Sequence, residues 1–237
     1  MHHNGYKTFK ALGMMLCYPH KDWSSNANEL YQIIADEGLI KDGNDLQHLQ
    51  QFAAQLQNRD ILDVQEEYVE TFDRNKSLSL HLFEHVHGES RDRGQAMADL
   101  SEIYQEAGFS LDKNELPDYL PAFLEYVSYL PKEQSIEMLQ DPIKILKALG
   151  KRLAERGSDY SVILNSVVRV LGHNPEVVEK KKPFALSYEQ LDKEWEEKPI
   201  TFLGAEDPSA KSGGCGGGSC HCDSTEAKPE KDYKQPQ

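Results

Sequence analysis

The chain has 237 residues, enough for one large domain or a domain with an appended segment. Its 40 Asp and Glu against 26 Lys and Arg give a net charge of −14. Such a surface repels phosphate backbones, which argues against general binding to nucleic acid or anionic membranes and suits a cationic partner segment. No apolar run approaches the roughly 18–20 residues that a bilayer span needs, so no insertion into a membrane is expected.

Helical spacing dominates the rest. Phe9, Leu12, Met15 and Leu16 form a stripe that stops at Pro19. The N-terminal stretch reads as a first helix and not as a cleaved signal, so a cytoplasmic location is expected. Cys17 lies alone on this apolar helix and reads as a core thiol. Leu46, Leu49, Phe52, Ala53 and Leu56 repeat in steps of three and four. Asp60 is placed to cap a helix carrying Ile61, Val64, Tyr68, Thr71 and Phe72 on one face. Met97, Leu100, Tyr104 and Ala107 repeat in the same way, with Gly108 as a stop. Pro117 is expected in the first turn of the next helix, with Pro121 in that turn or just past it. Leu120, Phe123, Leu124, Val127 and Leu130 line that helix, and Pro131 follows. Asp141-Pro142 reads as a cap and N1 proline for Ile145, Leu146, Leu149 and Leu153. Ser158 reads as a cap for Tyr160, Ile163, Leu164, Val167, Val168 and Leu171. Val162 to Val170 is rich in β-branched residues, yet its spacing favours helix.

The body is therefore expected to be all-α: a single helical bundle of about nine to eleven helices around one or two cores, over residues 1–200. The charged stretch 174–198 is expected to add one or two exposed helices. From Gly204 onward glycine and cysteine replace large apolar residues. A disordered tail over 201–237 is expected, because such a composition cannot offset its ordering entropy.

Several groups could carry chemistry. His81-Leu82-Phe83-Glu84-His85 matches H-x-x-E-H, in which two His on one helix share a zinc ion and the Glu acts as base. A zinc hydrolase is thus one reading, with Glu102, Glu106 or Glu125 as third ligand. The other is that these His pack and form hydrogen bonds, with Leu78, Leu82 and Val86 as the buried side. Gly88-Glu89-Ser90-Arg91-Asp92-Arg93-Gly94 is a charged turn. A half-buried Arg there needs a carboxylate such as Glu84, Glu89 or Asp92, in a network that also draws in His85 and Glu115 and serves either structure or recognition. Tyr68, Phe72, Leu82, Phe83 and Tyr126 supply apolar surface for a core or for a groove that takes an amphipathic peptide. Glu66, Glu67, Glu70, Asp73 and Asp118 either draw a basic peptide to that groove or form a solvated face. In the tail, Cys215, Cys220, His221 and Cys222 offer three thiols and an imidazole: a soft-metal site, adventitious metal capture, or plain disorder. No P-loop, dinucleotide fingerprint or serine-nucleophile elbow is present.

The stretch from Tyr68 to Leu100, with Glu115-Leu116-Pro117-Asp118-Tyr119-Leu120-Pro121 and Phe123-Leu124-Glu125-Tyr126, closely resembles the respiratory nitrate reductase assembly chaperones, the "delta subunit" proteins. These belong to the helical chaperones of molybdoenzyme maturation, including the helpers of trimethylamine-oxide and dimethyl-sulfoxide reductases. The resemblance spans roughly residues 8–200, is strongest over 64–131, and is absent from the cysteine-rich tail. Glu115, Pro117 and Asp118 match the wider family's E-x-P-D-H signature, and Tyr119 replaces its His. Tyr keeps an aromatic body and a hydrogen-bonding tip but lacks the imidazole's proton switch.

The resemblance implies a binding protein and not an enzyme, with no cofactor of its own. It implies a groove near the 115–119 junction where Asp118 and Tyr119 meet the target, although Asp118 could simply cap its helix while Tyr119 packs. The implied partner is the nitrate reductase catalytic subunit, held by an N-terminal segment that resembles a twin-arginine leader no longer directing export. Holding it would delay membrane docking until the molybdenum cofactor, and an iron–sulfur cluster, are inserted. Contact with the cofactor insertion machinery is a further implied partnership.

Overall fold

The computed structural model describes residues 5–88, 90–112 and 115–176. Within them eleven α-helices follow in order: α1 (Lys7–Met15), α2 (Lys21–Ser24), α3 (Ala27–Glu37), α4 (Gly43–Asn58), α5 (Ile61–Tyr68), α6 (Leu82–Val86), α7 (Arg91–Glu106), α8 (Leu120–Tyr129), α9 (Lys132–Gln140), α10 (Ile143–Glu155) and α11 (Ser161–Val170). A π-helical turn, Val69–Asp73, continues α5, and a 3-10 turn, Lys76–Leu78, precedes α6. Among the described residues the single β feature is an isolated antiparallel bridge between His81 and Tyr119. The all-α expectation holds.

The core follows the apolar stripes. Phe9, Leu12, Met15 and Leu16 of the first helix and its C-terminal turn are fully buried. α1 packs against α8, α3 and α11; α4 packs against α3 and α11; and α10 packs against α11. Leu120, Leu124 and Val127 of α8 meet this layer, as do Ile163, Leu164, Val167 and Val168 of α11. Each such side chain contributes roughly 1.5–3 kcal/mol on burial. Helices α1 and α8 approach closely at Gly13, where an added Cβ would lie 3.0 Å from the Pro121 carbonyl oxygen and 3.1 Å from Leu124 Cβ.

Capping ties these helices together. α1 has no side-chain cap of its own. The Glu37 carboxylate, at the end of α3, accepts from the amides of Lys7 (3.0 Å) and Thr8 (2.7 Å). It satisfies free N–H groups and sets a negative charge at the positive helix end. Asp60 caps α5 as expected, accepting from Leu62 N at 2.8 Å.

Several boundaries differ from expectation. Pro117 lies in a turn before α8, and Pro121 occupies the helix's first turn. Asp141 ends α9, while Pro142 stands at the N-cap of α10 with no side-chain cap. Ser158 does not cap with its side chain: its carbonyl accepts from Ser161 N (3.2 Å), and its buried Oγ has no partner. The stripe Leu78–Leu82–Val86 is not one helix face, because Ser79–His81 is extended and Val86 is 58% exposed. Ala107 is exposed past the end of α7. The boundary at residue 200, most of the 174–198 stretch, Glu89 and the cysteine-rich tail lie outside the described residues.

Candidate functional site

Two segments distant in sequence start helices side by side. Ser79–His81 leads into α6, and the turn at Pro117–Asp118 leads through Tyr119 into α8, with His81 and Tyr119 in extended backbone. Each supplies the other's missing acceptor. Leu82 N donates to the Asp118 carbonyl at 3.0 Å, and Leu120 N donates to the Leu80 carbonyl at 2.9 Å. These are the first residues of α6 and α8, so one short antiparallel contact satisfies an orphan amide at each helix start. Neither helix has a side-chain cap from its own N-cap residue.

Asp118 provides the cap in space. Its side chain is fully buried. One carboxylate oxygen accepts from His81 Nδ1 at 3.2 Å, and the other accepts from Phe83 N, the second amide of α6, at 3.2 Å. Arg93 Nη2 lies 3.9 Å from that second oxygen and 3.2 Å from Glu84 Oε1. Burial raises the Asp118 carboxyl, but the bonds from His81 and Phe83 and the Arg93 charge outweigh it and hold the group below the usual carboxylate range. Asp118 is thus the cap of α6 and not of α8, which corrects the reading that it caps its own helix.

The flanks of the junction are pinned as well. Tyr104 OH donates to the Pro117 carbonyl at 2.9 Å. Tyr68 OH donates to the Leu16 carbonyl at 3.0 Å and lies 3.2 Å from Tyr119 OH. His85 Nε2 donates to the Ser79 carbonyl at 2.8 Å.

Beside the junction lies a cavity of about 500 Å³, lined by Ser101, Tyr104 and Gln105 of α7 and by Phe109, Glu115 and Pro117 among others. Its wall includes two aromatic rings, Tyr104 and Phe109, with centroids 5.3 Å apart. Glu115 is exposed at its edge, and burial together with the charges of Asp112 and Glu125 raises its carboxyl.

The candidate residues divide between buried core and partly exposed surface. Tyr68, Phe72, Leu82 and Tyr126 are buried. Tyr68 and Phe72 stack in a core cluster with Tyr160, at centroid distances of 5.9 and 5.0 Å, so these aromatics hold the fold and present no groove surface. Phe83 and Tyr119 are the half-buried members of that set. Arg91 and Asp92 are exposed on the first turn of α7, and Glu115 makes no ion pair among the described residues. Of the acidic set, Glu66, Glu70 and Asp73 are exposed, and Glu67 pairs with Arg59.

The H-x-x-E-H reading fails on geometry. His81 stands before α6 and His85 within it, and their ring nitrogens serve separate partners, Asp118 and the Ser79 carbonyl. Glu84 faces Arg93, and Glu125 pairs with Lys10 at 2.9 Å. Among the described residues no three His, Cys, Asp or Glu converge as metal ligands. Cys17 is held as a thiol, its pKa pushed up to about 12 by burial and by the charges of Glu115 and Glu125.

Sequence reasoning missed the roles of Leu80, Leu16 and Tyr104. The first two act through backbone carbonyls, which no side-chain pattern reveals. Tyr104 carried only a core signal from its helical spacing.

The fold is that of a maturation chaperone. A putative redox enzyme maturation protein from Archaeoglobus fulgidus superposes with a TM-score of 0.51 at 20% identity, over 69% of this chain and 91% of that one. The sequence profile described as nitrate reductase delta subunit matches residues 40–162. The chain is 40% identical over 195 residues to the nitrate reductase molybdenum cofactor assembly chaperone NarJ of Escherichia coli K12, covering 80% of this chain and 82% of that protein. It is 37% identical over 200 residues to the probable assembly chaperone NarW of the same strain, covering 82% and 83%. A probable NarJ of Bacillus subtilis matches at 28% over 164 residues, covering 69% and 88%. The chain belongs to the nitrate reductase delta subunit family.

Proposed function

We propose that this chain is a dedicated assembly chaperone for a nitrate reductase, keeping its catalytic subunit open for molybdenum cofactor insertion. The match to NarJ over four-fifths of the chain carries this reading. The protein acts by binding and makes or breaks no covalent bond. No observation supports a zinc hydrolase. The partner is the immature catalytic subunit, engaged through its N-terminal segment at the face that carries Phe83, Tyr119, Glu115 and the adjoining cavity. That face combines half-buried aromatic surface, a shaped hollow and an exposed acid, Glu115, which fits a segment with apolar and basic residues. Release follows from differential affinity: when maturation folds or buries the segment, the contacts are lost. The work takes place in the cytoplasm, and no described helix is long and apolar enough to cross a membrane.

Two measurements test the reading at its two levels. Deleting the gene is expected to leave the catalytic subunit poor in molybdenum, and normal metal content would reject the chaperone role. Calorimetric titration of the chelator-treated protein with a peptide copying the catalytic subunit's N-terminal segment is expected to give a Kd on the order of micromolar, about −8 kcal/mol. Silence from well-folded protein would reject that segment as the epitope.

A further inference from the structure

The four cysteines divide into one that is inert and three that are clustered. Cys17 donates its thiol proton to the Gly13 carbonyl at 3.6 Å, and burial pushes its pKa up to about 12, so it offers no thiolate near neutral pH. Cys215, Cys220 and Cys222 fall within eight residues and enclose His221. Cysteine is among the residue types most often buried, yet no large apolar residue occurs from Gly204 to Lys231. These three thiols therefore have no local apolar neighbours to pack with. Their number is odd, so disulfide pairing within the cluster would leave one over.

The cluster does offer a set of metal donors. Three sulfurs and one imidazole nitrogen are the ligands of a closed, tetrahedral zinc site. Magnesium and calcium take oxygen ligands and are poorly served by it. The step from Cys215 to Cys220 spans at most about 18 Å when extended, so closing it costs little entropy. Gly216, Gly217 and Gly218 put no side chain in the way of that closure. The helical body offers no rival site. Among its described residues no three His, Cys, Asp or Glu converge. His81 is held by Asp118, His85 by the Ser79 carbonyl, and His173 by Gln140 Oε1 at 2.9 Å.

We infer that Cys215, Cys220, His221 and Cys222 together bind one zinc ion, the cysteines as thiolates and the histidine through a ring nitrogen. Each thiol releases its proton to solvent as it ligates, and three thiolates against one dication leave the centre anionic. Zinc changes no oxidation state, so no oxidant or reductant is needed. The site uses none of the residues assigned to the peptide-binding face, and it stands or falls independently of the chaperone reading.

The test is metal uptake by the full chain, reduced and stripped with chelator. Zinc is titrated against a chromophoric competitor, and cobalt(II) serves as the spectroscopic probe of the same ligands. Wild type is expected to take up one equivalent of zinc with a Kd on the order of nanomolar or tighter. Its cobalt form is expected to show sulfur-to-metal charge transfer and the intense d–d bands of a tetrahedral centre. Cys215→Ser, Cys220→Ser and Cys222→Ser are each expected to weaken zinc binding by roughly 100-fold. His221→Ala is expected to weaken it by about 10-fold and to shift the cobalt bands as solvent replaces the nitrogen. Cys17→Ser is expected to change neither. Uptake weaker than about 1 μM, or indifferent to the three Ser variants, would mean adventitious capture only and overturns the inference. Loss in the Ser variants with no change in His221→Ala overturns the four-ligand zinc assignment in favour of a sulfur-only site. The triple Ser variant is expected to keep the metal-free thermal midpoint of wild type, which separates loss of the site from loss of the fold.

Discussion

Helix α8 carries two kinds of contact about one turn apart. Toward α1, Leu124 and Val127 meet Phe9, Leu12 and Met15, all with essentially no exposure. At its start, Pro117–Leu120 meets Leu80–Phe83 through backbone amides, carbonyls and one buried carboxylate. The first contact is apolar and tolerant of detail, held by area removed from water. The second is polar and exacting, because each buried group must find its one partner or cost more than it contributes. A large, forgiving core can hold an expensive polar junction in place, and the junction is where the half-buried Tyr119 and Phe83 reach the surface.

Truncation of the apolar contact should cost the most. Leu124→Ala removes a fully buried side chain from the α1–α8 layer and is expected to lower stability by about 3–4 kcal/mol, as measured by urea unfolding. A loss near 1 kcal/mol would mean that this layer collapses around the gap and that the two regions differ less than the packing indicates.

Asp118→Asn comes next, at about 2–3 kcal/mol near neutral pH, because His81 and Arg93 lose the charge they face. The sign with pH follows from the lowered carboxyl. Its stabilisation is complete above the unfolded value near 3.9 and is lost as pH falls through the lower folded value. The gap between wild type and Asp118→Asn should therefore stay constant from neutral pH down to about 4 and close below it. For Leu124→Ala the gap should persist into acid. If both gaps behave alike, the polar and apolar regions unfold for the same reason and the contrast fails.

Gly13→Ala sharpens the comparison from the apolar side. Alanine favours helix by about 1 kcal/mol, yet its Cβ would lie 3.0 Å from the Pro121 carbonyl. The obstruction is α8 backbone, which cannot swing aside. A net loss of about 1–2 kcal/mol is expected, and a stabilised variant would show that α1 and α8 can part slightly without penalty.

How much of this was legible follows the same division. The stripes of α1, α4, α8, α10 and α11 were readable because burial imposes a period on side chains. The Asp60 cap was readable because it is local. Asp141, Ser158 and Pro117 were misplaced by a few residues because the same residue types serve turns as well as caps. Asp118 was noticed through its motif, but its role was not, since its partners Phe83 and His81 lie 35 and 37 residues away. The H-x-x-E-H pattern misled for a related reason. It presumes a continuous helix, and the tertiary bond from Leu82 N to Asp118 starts α6 one residue too late for that.

Glu84→Gln is the smallest expected effect and bears on that misleading motif. Glu84 and Arg93 pair at 3.2 Å with side chains 32% and 21% exposed, so solvent screens part of their attraction. Gln keeps an oxygen for Arg93 and loses the charge. Arg93 then has Asp118, 3.9 Å away, as its remaining carboxylate among these contacts. A loss of about 0.5–1 kcal/mol is expected, read as a thermal midpoint lower by roughly 1–4 °C, with peptide affinity within 2-fold of wild type. A base in a hydrolytic site would behave oppositely, leaving stability untouched and removing turnover. A large loss of stability here would place Glu84 beside Asp118 as an equal member of the junction and would move the boundary between the two regions onto α6 itself.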